Sequence, residues 1–568
     1  MLQKNTAQRD KQLFTKPSSK EKIIVKRFIE TCKDGLFDLI VVGGGITGAA
    51  VAYDAAARGL RTALVEKKDY GWATSAATSK LIHGGLRYLQ NLEFPLVRES
   101  LRERRILGNI APNLVAPIPF LVPGYGDARR NKWMLRAGLT VYDVLSFDRG
   151  WTWDKARRIP HHAWLSKEAV LQMEPMVRPE GLTGGSVYYD SQSIHPERLT
   201  LAFVKSALRS GAQIANYARV SGFLFSGDRK IEGVRVEDVL TGDIIDLKAR
   251  LVINCGGPWA DIILNLADTS GESRHRIRRS EGIHILTKKF QTRQAVVMWT
   301  PAGRHFFTIP WRGYQLIGTT DHEYVGSPDE WRVTRERIAA LITDTNDAIG
   351  DGRLTYGDVA FAYGGLRPLV DKQTEGTYDS SRKYEIHDNA ADGFDGLITV
   401  EGGKYTTSRC LAENALQMIE KKLGRSPKKS KTNLNYLAGC DIADMGAFMA
   451  EIRRDFKDFD AMTIDYLAKN YGTECRAVFE LARRDRALAE IVCEDGQILA
   501  SVVYAVKNES ARSLTDILLR RTGIGNIGHP GKIVLEKIGV MAATHLGWDP
   551  ARLDQELSAA DTALRLPA

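Results

Sequence analysis

Residues 37–67 read FDLIVVGGGITGAAVAYDAAARGLRTALVEK. An apolar run, FDLIVV, ends at three glycines; an alanine-rich segment with helical spacing follows, and LRTALVEK returns to an extended pattern. The order is strand, glycine turn, helix, strand, a βαβ unit. In such a unit Gly43 allows the tight turn, Gly45 lets the backbone approach a pyrophosphate, and Gly48 lets the helix pack on the strand. Ile46 and Thr47 open a helix whose N–H groups and positive end favour phosphate. Glu66 closes the second strand, where a carboxylate accepts from both hydroxyls of a ribose and repels a 2′-phosphate. The unit predicts a site for FAD or NAD and disfavours NADP.

The 568-residue chain exceeds the roughly 250–300 residues at which a single core stops growing, so it should hold two or three domains. Residues 1–36 carry nine Lys/Arg against four Asp/Glu and read as a basic extension, a solvated tail with one docking helix around KIIVKRFIETCK. Residues 215–257 alternate with period two between turns such as SGDRK and TGD, an antiparallel meander returning to a strand that ends at Asn254. A meander inserted between strands of a nucleotide-binding sheet, with a late glycine-rich return, favours FAD, because a long flavin nucleotide is held by distant segments. Residues 280–400 alternate strands with one helix near Thr334 to Ala348. The predicted fold class is α/β plus α: a Rossmann-like FAD-binding domain (segments near 37–110, 185–260 and 355–425), an antiparallel-sheet substrate domain (111–184 and 261–354) and a helical C-terminal domain (426–568) reached through a basic linker, KKLGRSPKKSKTN.

Apolar content of 43% and charged content of 26% are those of a chain that folds throughout. The net charge of +10 favours anionic partners. The six cysteines form no CxxC pair and no metal-ligand spacing, which predicts a reduced, cytoplasmic setting without a metal. The longest weakly charged run contains Asp38 and three glycines, and fits a buried strand and helix better than a span of about 20 apolar residues.

SKLIHGGLRYL, residues 79–89, is too polar for a core and too apolar for a loop. Taken with DLIVVGGGITGAAVAYDAAARGL, TSAATSKLIHGGLRYL, LVINCGGPW, IPWRGYQLIGTTD, GGLRPL and EGGKYTT, in this order and spacing, it resembles the FAD-dependent glycerol-3-phosphate dehydrogenases of the D-amino-acid-oxidase-like flavoprotein superfamily. The likeness runs from about residue 37 to 420; LTDILLRRTGIG resembles the family's helical cap more loosely. It implies two-electron oxidation of sn-glycerol 3-phosphate to dihydroxyacetone phosphate on FAD, with electrons passed to membrane quinone, or to oxygen in the oxidase relatives. An amine or amino-acid oxidase of the same superfamily is the remoter alternative.

The same resemblance assigns residues. Thr74, Ser75, Thr78, Ser79 and Leu81 answer to flavin-diphosphate and ribityl contacts, Val220 to a backbone contact with adenine, and Asn254 and Gly256 to a second cofactor contact. Gly84 and Gly85 are expected to leave room for the isoalloxazine. His83, with an ordinary pKa near 6.5, is placed to take the alcohol proton, or is a hydrogen-bonded core histidine. Arg87, with Tyr88 beside it, Arg367 and Lys404 are the cations for the phosphate, Lys404 also for the reduced flavin, with Gly403, Tyr405 and Thr406 around it. For Arg367 the structural alternative is an ion pair with an acid such as Asp371; for Lys404, a solvated surface lysine. Asp321 is left outside the site.

A quinone-linked enzyme without a spanning helix must rest on the cytoplasmic face of an anionic membrane. Two basic patches suit this, Arg129, Arg130, Lys132, Trp133 and Arg136 in one and Lys421 to Lys431 in the other, and each also reads as an ordinary solvated face. A homodimer is compatible with this reading. Nucleic acid is not an expected partner, because no basic stretch is interleaved with aromatics.

Overall fold

The computed structural model describes residues 23–31, 35–89, 91–126, 132–227, 230–268, 277–300, 305–349, 353–370 and 383–568. The strand Leu36–Val42 lies between two parallel neighbours, Thr62–Val65 and Ile244–Asn254. Gln213–Ala215 extends the parallel set on one side and Leu397–Gly402 on the other, and Tyr384–Asp388 closes that edge antiparallel. A strand covered on both faces reads as a continuous apolar run rather than an alternation, which is why FDLIVV looks as it does. The helices Ile46–Ala57, Pro196–Arg209 and Ser408–Lys422 share a core with this sheet. Ile46–Ala57 is built largely of small residues and lies against the other two helices. The hairpin Ala218–Phe225 and Ile231–Asp238 joins Ile244–Asn254 antiparallel, giving eight strands in all.

The second sheet has ten strands, from His322–Tyr324 at one edge through Arg278–Thr287, Tyr314–Gly318, His305–Trp311, Ala295–Trp299, Val115–Tyr125 and Leu182–Ser193 to the short Leu81–Ile82. Its pairs are antiparallel except Ala295–Trp299 with Val115–Tyr125. Three segments belong here rather than with the nucleotide-binding segments where the sequence placed them. Val359–Leu369 pairs along Arg278–Thr287, with Arg367 opposite Ser280. Leu182–Ser193, which the reading divided near residue 185, is one strand, and Leu81–Ile82 pairs with its end. Sheet membership is set by the partner strand, which a single sequence does not display.

Six α-helices from Met445–Asp455 to Pro550–Leu564 form the C-terminal domain, with three 3-10 turns and a π-helical turn, Asp516–Arg521, between them. Its buried residues continue into Trp311, Tyr314 and Phe361 of the second sheet, so the two share one core. The stretch taken for a linker is instead pinned down. Lys428 N–H donates to Glu420 Oε2 and Ser430 Oγ to Asp54 Oδ1, both at 2.8 Å, while Lys422 pairs with Asp388 and Asp395. Of the basic extension, the described part is a docked segment: Val25, Phe28 and Ile29 are buried, Val25 N–H donates to Asn508 O, and Arg27 pairs with Asp238 at 2.6 Å. The helix expected there is a single 3-10 turn, Phe28–Glu30, and residues 1–22 lie outside the described residues.

Candidate functional site

A cavity of about 1120 Å³ runs between the two sheets. Of the residues singled out in the sequence, all but Gly48, Gly84 and Asn254 line it. At one end stands the βαβ turn. Gly43 adopts φ +107°, and a Cβ there would lie 2.6 Å from Cys255 O. The helix Ile46–Ala57 has Gly45 as its N-cap and no side-chain cap, so its first turn opens onto the cavity, a ready site for anionic oxygens. Gly48 stands behind: a Cβ would come 1.8 Å from Gly43 O, the helix-on-strand packing its position implied. The Glu66 carboxylate accepts from the N–H groups of Gly44 at 2.6 Å and Lys68 at 2.8 Å, and its pKa is raised by burial, which those N–H bonds oppose.

Residues 74–79 form the next wall, held by the strand Val359–Leu369. Thr74 Oγ1 donates to Leu366 O at 2.6 Å, Tyr363 Oη donates to Thr78 O at 2.8 Å, and a Cβ on Gly365 would strike Ala77 Cβ at 2.8 Å. Ser75 Oγ accepts from Ile46 N–H at 2.9 Å, tying this loop to the βαβ turn.

At the far end the polar groups converge. The backbone N–H of His83 donates to Thr406 Oγ1. Burial pushes the His83 ring down to about 4; Asp190 opposes this, and Lys404 and Arg87 reinforce it. The imidazole is therefore neutral at neutral pH, and a weaker base than a free imidazole. Beneath it, Asp190 accepts from Gly84 N–H, Tyr142 Oη and Arg104. Lys404 Nζ donates to Ser100 Oγ at 2.8 Å and stands 4.1 Å from the centroid of the Tyr88 ring; Arg87 lies 5.4 Å from the same ring. Arg367 packs over Gly282, where a Cβ would fall 2.0 Å from its Nη2, donates to Thr319 Oγ1 at 2.6 Å and pairs with Asp321 at 3.5 Å.

Several expectations change. A Cβ on Gly84 would meet Tyr142 Oη at 2.3 Å and Leu101 at 2.4 Å, so this glycine makes room for protein and not for a flavin ring; Gly85 has φ +76° and faces the Tyr88 ring. Asn254 turns away from the cavity: its Nδ2 donates to Ala260 O and its Oδ1 accepts from Gly256 N–H, shaping the turn. Lys404 is not a solvated surface lysine. Asp321, left outside, is an ion partner of Arg367 and lines the cavity, whereas Asp371 lies outside the described residues.

Two histidines were missed. His284 Nε2 shares a hydrogen bond of 2.8 Å with Ser79 Oγ, and its ring stacks on Tyr363. His305 is pushed down to about 3 by burial, with Arg87 and then His83 adding to the effect. Each is one histidine in a strand, with no motif around it to carry a chemical signal. Near them the cavity opens between Leu92, Phe94, Met134 and Val141.

The sequence model described as FAD dependent oxidoreductase matches residues 38–409. The chain belongs to the FAD-dependent oxidoreductase family. Residues 430–553 match the C-terminal domain of alpha-glycerophosphate oxidase. A glycerol-3-phosphate dehydrogenase of Synechocystis is 36% identical over 92% of this chain and 95% of its own. An alpha-glycerophosphate oxidase of Streptococcus pneumoniae is 30% identical over 87% and 90%. The structure of a glycerol-3-phosphate dehydrogenase from Bacillus halodurans, complexed with FAD, superimposes with a TM-score of 0.75 at 28% identity, covering 94% of this chain and 95% of that one.

The residues present fit the family's cofactor. The cavity exceeds the roughly 300–1,000 Å³ of ordinary small-ligand pockets. Its glycine turn approaches so closely that a Cβ on Gly45 would touch Ser75 Oγ at 3.0 Å, and the buried His284 Nδ1 has no hydrogen-bond partner among the described residues. Gly43, Gly45, Ile46 and Thr47 would hold the pyrophosphate, Glu66 and Val220 the adenosine end, and Thr74, Ser75, Thr78, Ser79, Leu81, His83 and Gly85 with residues 403–406 the remainder.

Proposed function

We propose that this protein oxidises sn-glycerol 3-phosphate to dihydroxyacetone phosphate and passes the electrons to a membrane quinone. When bound, FAD supplies a two-electron acceptor for the carbinol hydrogen. The protein's own groups do the rest. Arg87, Lys404 and Arg367 offer positive charge to a small phosphate dianion. His83, buried and neutral, accepts the hydroxyl proton; Asp190 beside it favours the imidazolium that results.

The observation that carries this reading is the charge where the polar groups converge: among the described residues three cations, Arg87, Arg367 and Lys404, line the cavity there against one acid, Asp321. An amino-acid substrate needs one carboxylate anchor and offers an ammonium that such a surplus repels. The named substrates of the dehydrogenase and oxidase relatives agree with a phosphate ester.

The acceptor divides two readings. Oxygen is supported by the oxidase relative. Quinone is supported by the surface beside the cavity mouth, where the helix Lys132–Leu145 leaves Trp133 and Val144 64% and 66% exposed, followed by exposed Phe147 and Trp151, with Arg136 on the same helix. Aromatic and basic groups together suit a bilayer interface. Among the described residues no helix is long and apolar enough to cross a membrane; in this reading the aromatic and basic surface is what rests on the cytoplasmic face. Arg129 and Arg130 lie outside the described residues, and in the second patch Lys422 is engaged by Asp388 and Asp395 and Lys428 by Arg58 O.

The test is anaerobic addition of glycerol 3-phosphate to the FAD-loaded protein. Bleaching of the yellow absorbance, reversed at once by a quinone and only slowly by air, is the expected result. No bleaching overturns the substrate; rapid recovery in air, with hydrogen peroxide formed, assigns the oxidase reaction.

A further inference from the structure

The carboxylate of Asp69 has no exposed surface, does not reach the cavity, and is nevertheless one of the most heavily bonded groups in the protein. It accepts from Arg520 Nε, Arg521 Nη1 and Arg521 Nη2, each at 2.7 Å, and from Asn216 Nδ2 at 3.0 Å. Both arginines belong to the π-helical turn Asp516–Arg521 of the C-terminal domain, within LTDILLRRTGIG. They are tied in turn: Arg520 to Asp516, and Arg521 Nε to Glu509 O at 3.0 Å. Burial works against the charge on Asp69, and the two guanidiniums more than offset it, holding the carboxyl below its ordinary range.

Asp69 lies three residues past Glu66, on a turn whose other side is fastened to the glycine fingerprint. The Glu66 carboxylate holds Gly44 N–H. Gly71 N–H donates to Gly44 O at 3.0 Å. Tyr70 packs so close to Gly44 that a Cβ there would lie 3.0 Å from its ring, and Ser75 Oγ takes Ile46 N–H. Residues 66–75 are thus a bridge, with the cavity wall along it, the βαβ turn on one side and two buried arginines of another domain on the other. A buried ion cluster is weak evidence for stability, since apolar replacements often do as well. Its geometry is what distinguishes it: it fixes the position of this turn.

We propose that Asp69, Arg520 and Arg521 are positioning residues for the cofactor, through which the C-terminal domain sets the affinity of the nucleotide site. The proposal rests on the FAD reading of the cavity. Coupling between two sites is reciprocal, so FAD should in turn tighten the π-helical turn.

The experiment uses the full-length protein, stripped of FAD and reconstituted. Asp69→Asn and Arg521→Lys are compared with Arg312→Lys, which disturbs a second buried ion pair with the C-terminal domain, Arg312 with Asp495, and a bond to Gly523 O just past the π-helical turn; Arg312 has no bond to Asp69 or to residues 66–75. Binding is read by quenching of flavin fluorescence, and thermal midpoints are taken with and without FAD. The expected result is FAD affinity weakened about tenfold or more by the first two variants, within the range of ordinary intersite coupling, and a smaller FAD-induced rise in midpoint. Arg312→Lys should lower the FAD-free midpoint alone. If all three lower the midpoint while FAD affinity stays at the wild-type value, the cluster is only an interface and the proposal is overturned. Should the variants not fold, hydrogen exchange on the wild type decides. Slower exchange at Asp516–Arg521 on adding FAD supports the coupling, and unchanged exchange overturns it. Wild-type protein that takes up no FAD would overturn the cofactor reading instead.

Discussion

Arg367 shows how much one residue's role depends on its partner. Gly282 leaves space for its guanidinium and Thr319 and Asp321 orient it, but its side chain keeps 24% of its surface exposed, enough to meet a ligand. Arg367→Ala therefore does two things: it removes a phosphate contact and leaves Asp321, 9% exposed, without this cation. The expected outcome is a KM for glycerol 3-phosphate raised at least about tenfold, as for a lost charge-assisted hydrogen bond, with FAD content unchanged and a lowered thermal midpoint. Adding Asp321→Asn should restore the midpoint and leave KM high. Steady-state kinetics and thermal shift on the two variants check it; an unaltered KM in Arg367→Ala would remove Arg367 from the substrate site. Sequence alone made Arg367 conspicuous, as a cation after two glycines, and hid Asp321, because the pair is made across strands. Gly84 taught the opposite lesson: the need for glycine was legible, and the atoms that impose it, Tyr142 Oη and Leu101, were not.

At the scale of elements, the helix Lys132–Leu145 has two unlike faces. Leu139 and Tyr142 are buried, and Tyr142 Oη reaches Asp190 under the His83 loop, while Trp133 and Val144 stand in solvent. Replacing Trp133 and Val144 together by Glu removes apolar surface worth on the order of 1.5–3 kcal/mol for each side chain buried and repels anionic lipid. Binding to phosphatidylglycerol vesicles, measured by sedimentation, should fall at least tenfold by this rough measure, and reduction of a lipophilic quinone should fall with it. Reduction of a water-soluble dye by glycerol 3-phosphate should be unchanged, since neither residue lines the cavity. Vesicle binding that survives the double substitution would rule out this face. The elements themselves were legible wherever period and punctuation agreed, as in the βαβ unit and the meander. Val359–Leu369 was not, because its glycines suggested a turn, whereas Gly364 and Gly365 lie within a strand, where side chains would strike Gly282 O and Ala77.

Across the whole molecule, among the described residues, burial has driven five histidines below their ordinary pKa of about 6.5: His83 to about 4, His305 to about 3, His195 and His284 well below, and His545 lower. Each is neutral in the folded protein and free to charge in the unfolded one. As pH falls through 6.5 the unfolded chain takes up protons that the folded chain refuses, so stability is lost with falling pH, by roughly 1.4 kcal/mol per proton per pH unit. Acids held low by cations, such as Asp69 and Glu509, lose their contribution only lower, as pH drops below their unfolded values near about 4. Glu66 and Glu99, raised by burial, act in the opposite sense. The histidines begin to act first as pH falls, because their unfolded value of about 6.5 lies well above that of any carboxyl. The thermal midpoint of the FAD-free protein should stay nearly level from pH 8 to 7 and then decline steadily toward pH 5, and His305→Gln should make the decline shallower. A midpoint level down to pH 5 would mean that these rings charge freely in the folded state, so that burial does not hold them neutral.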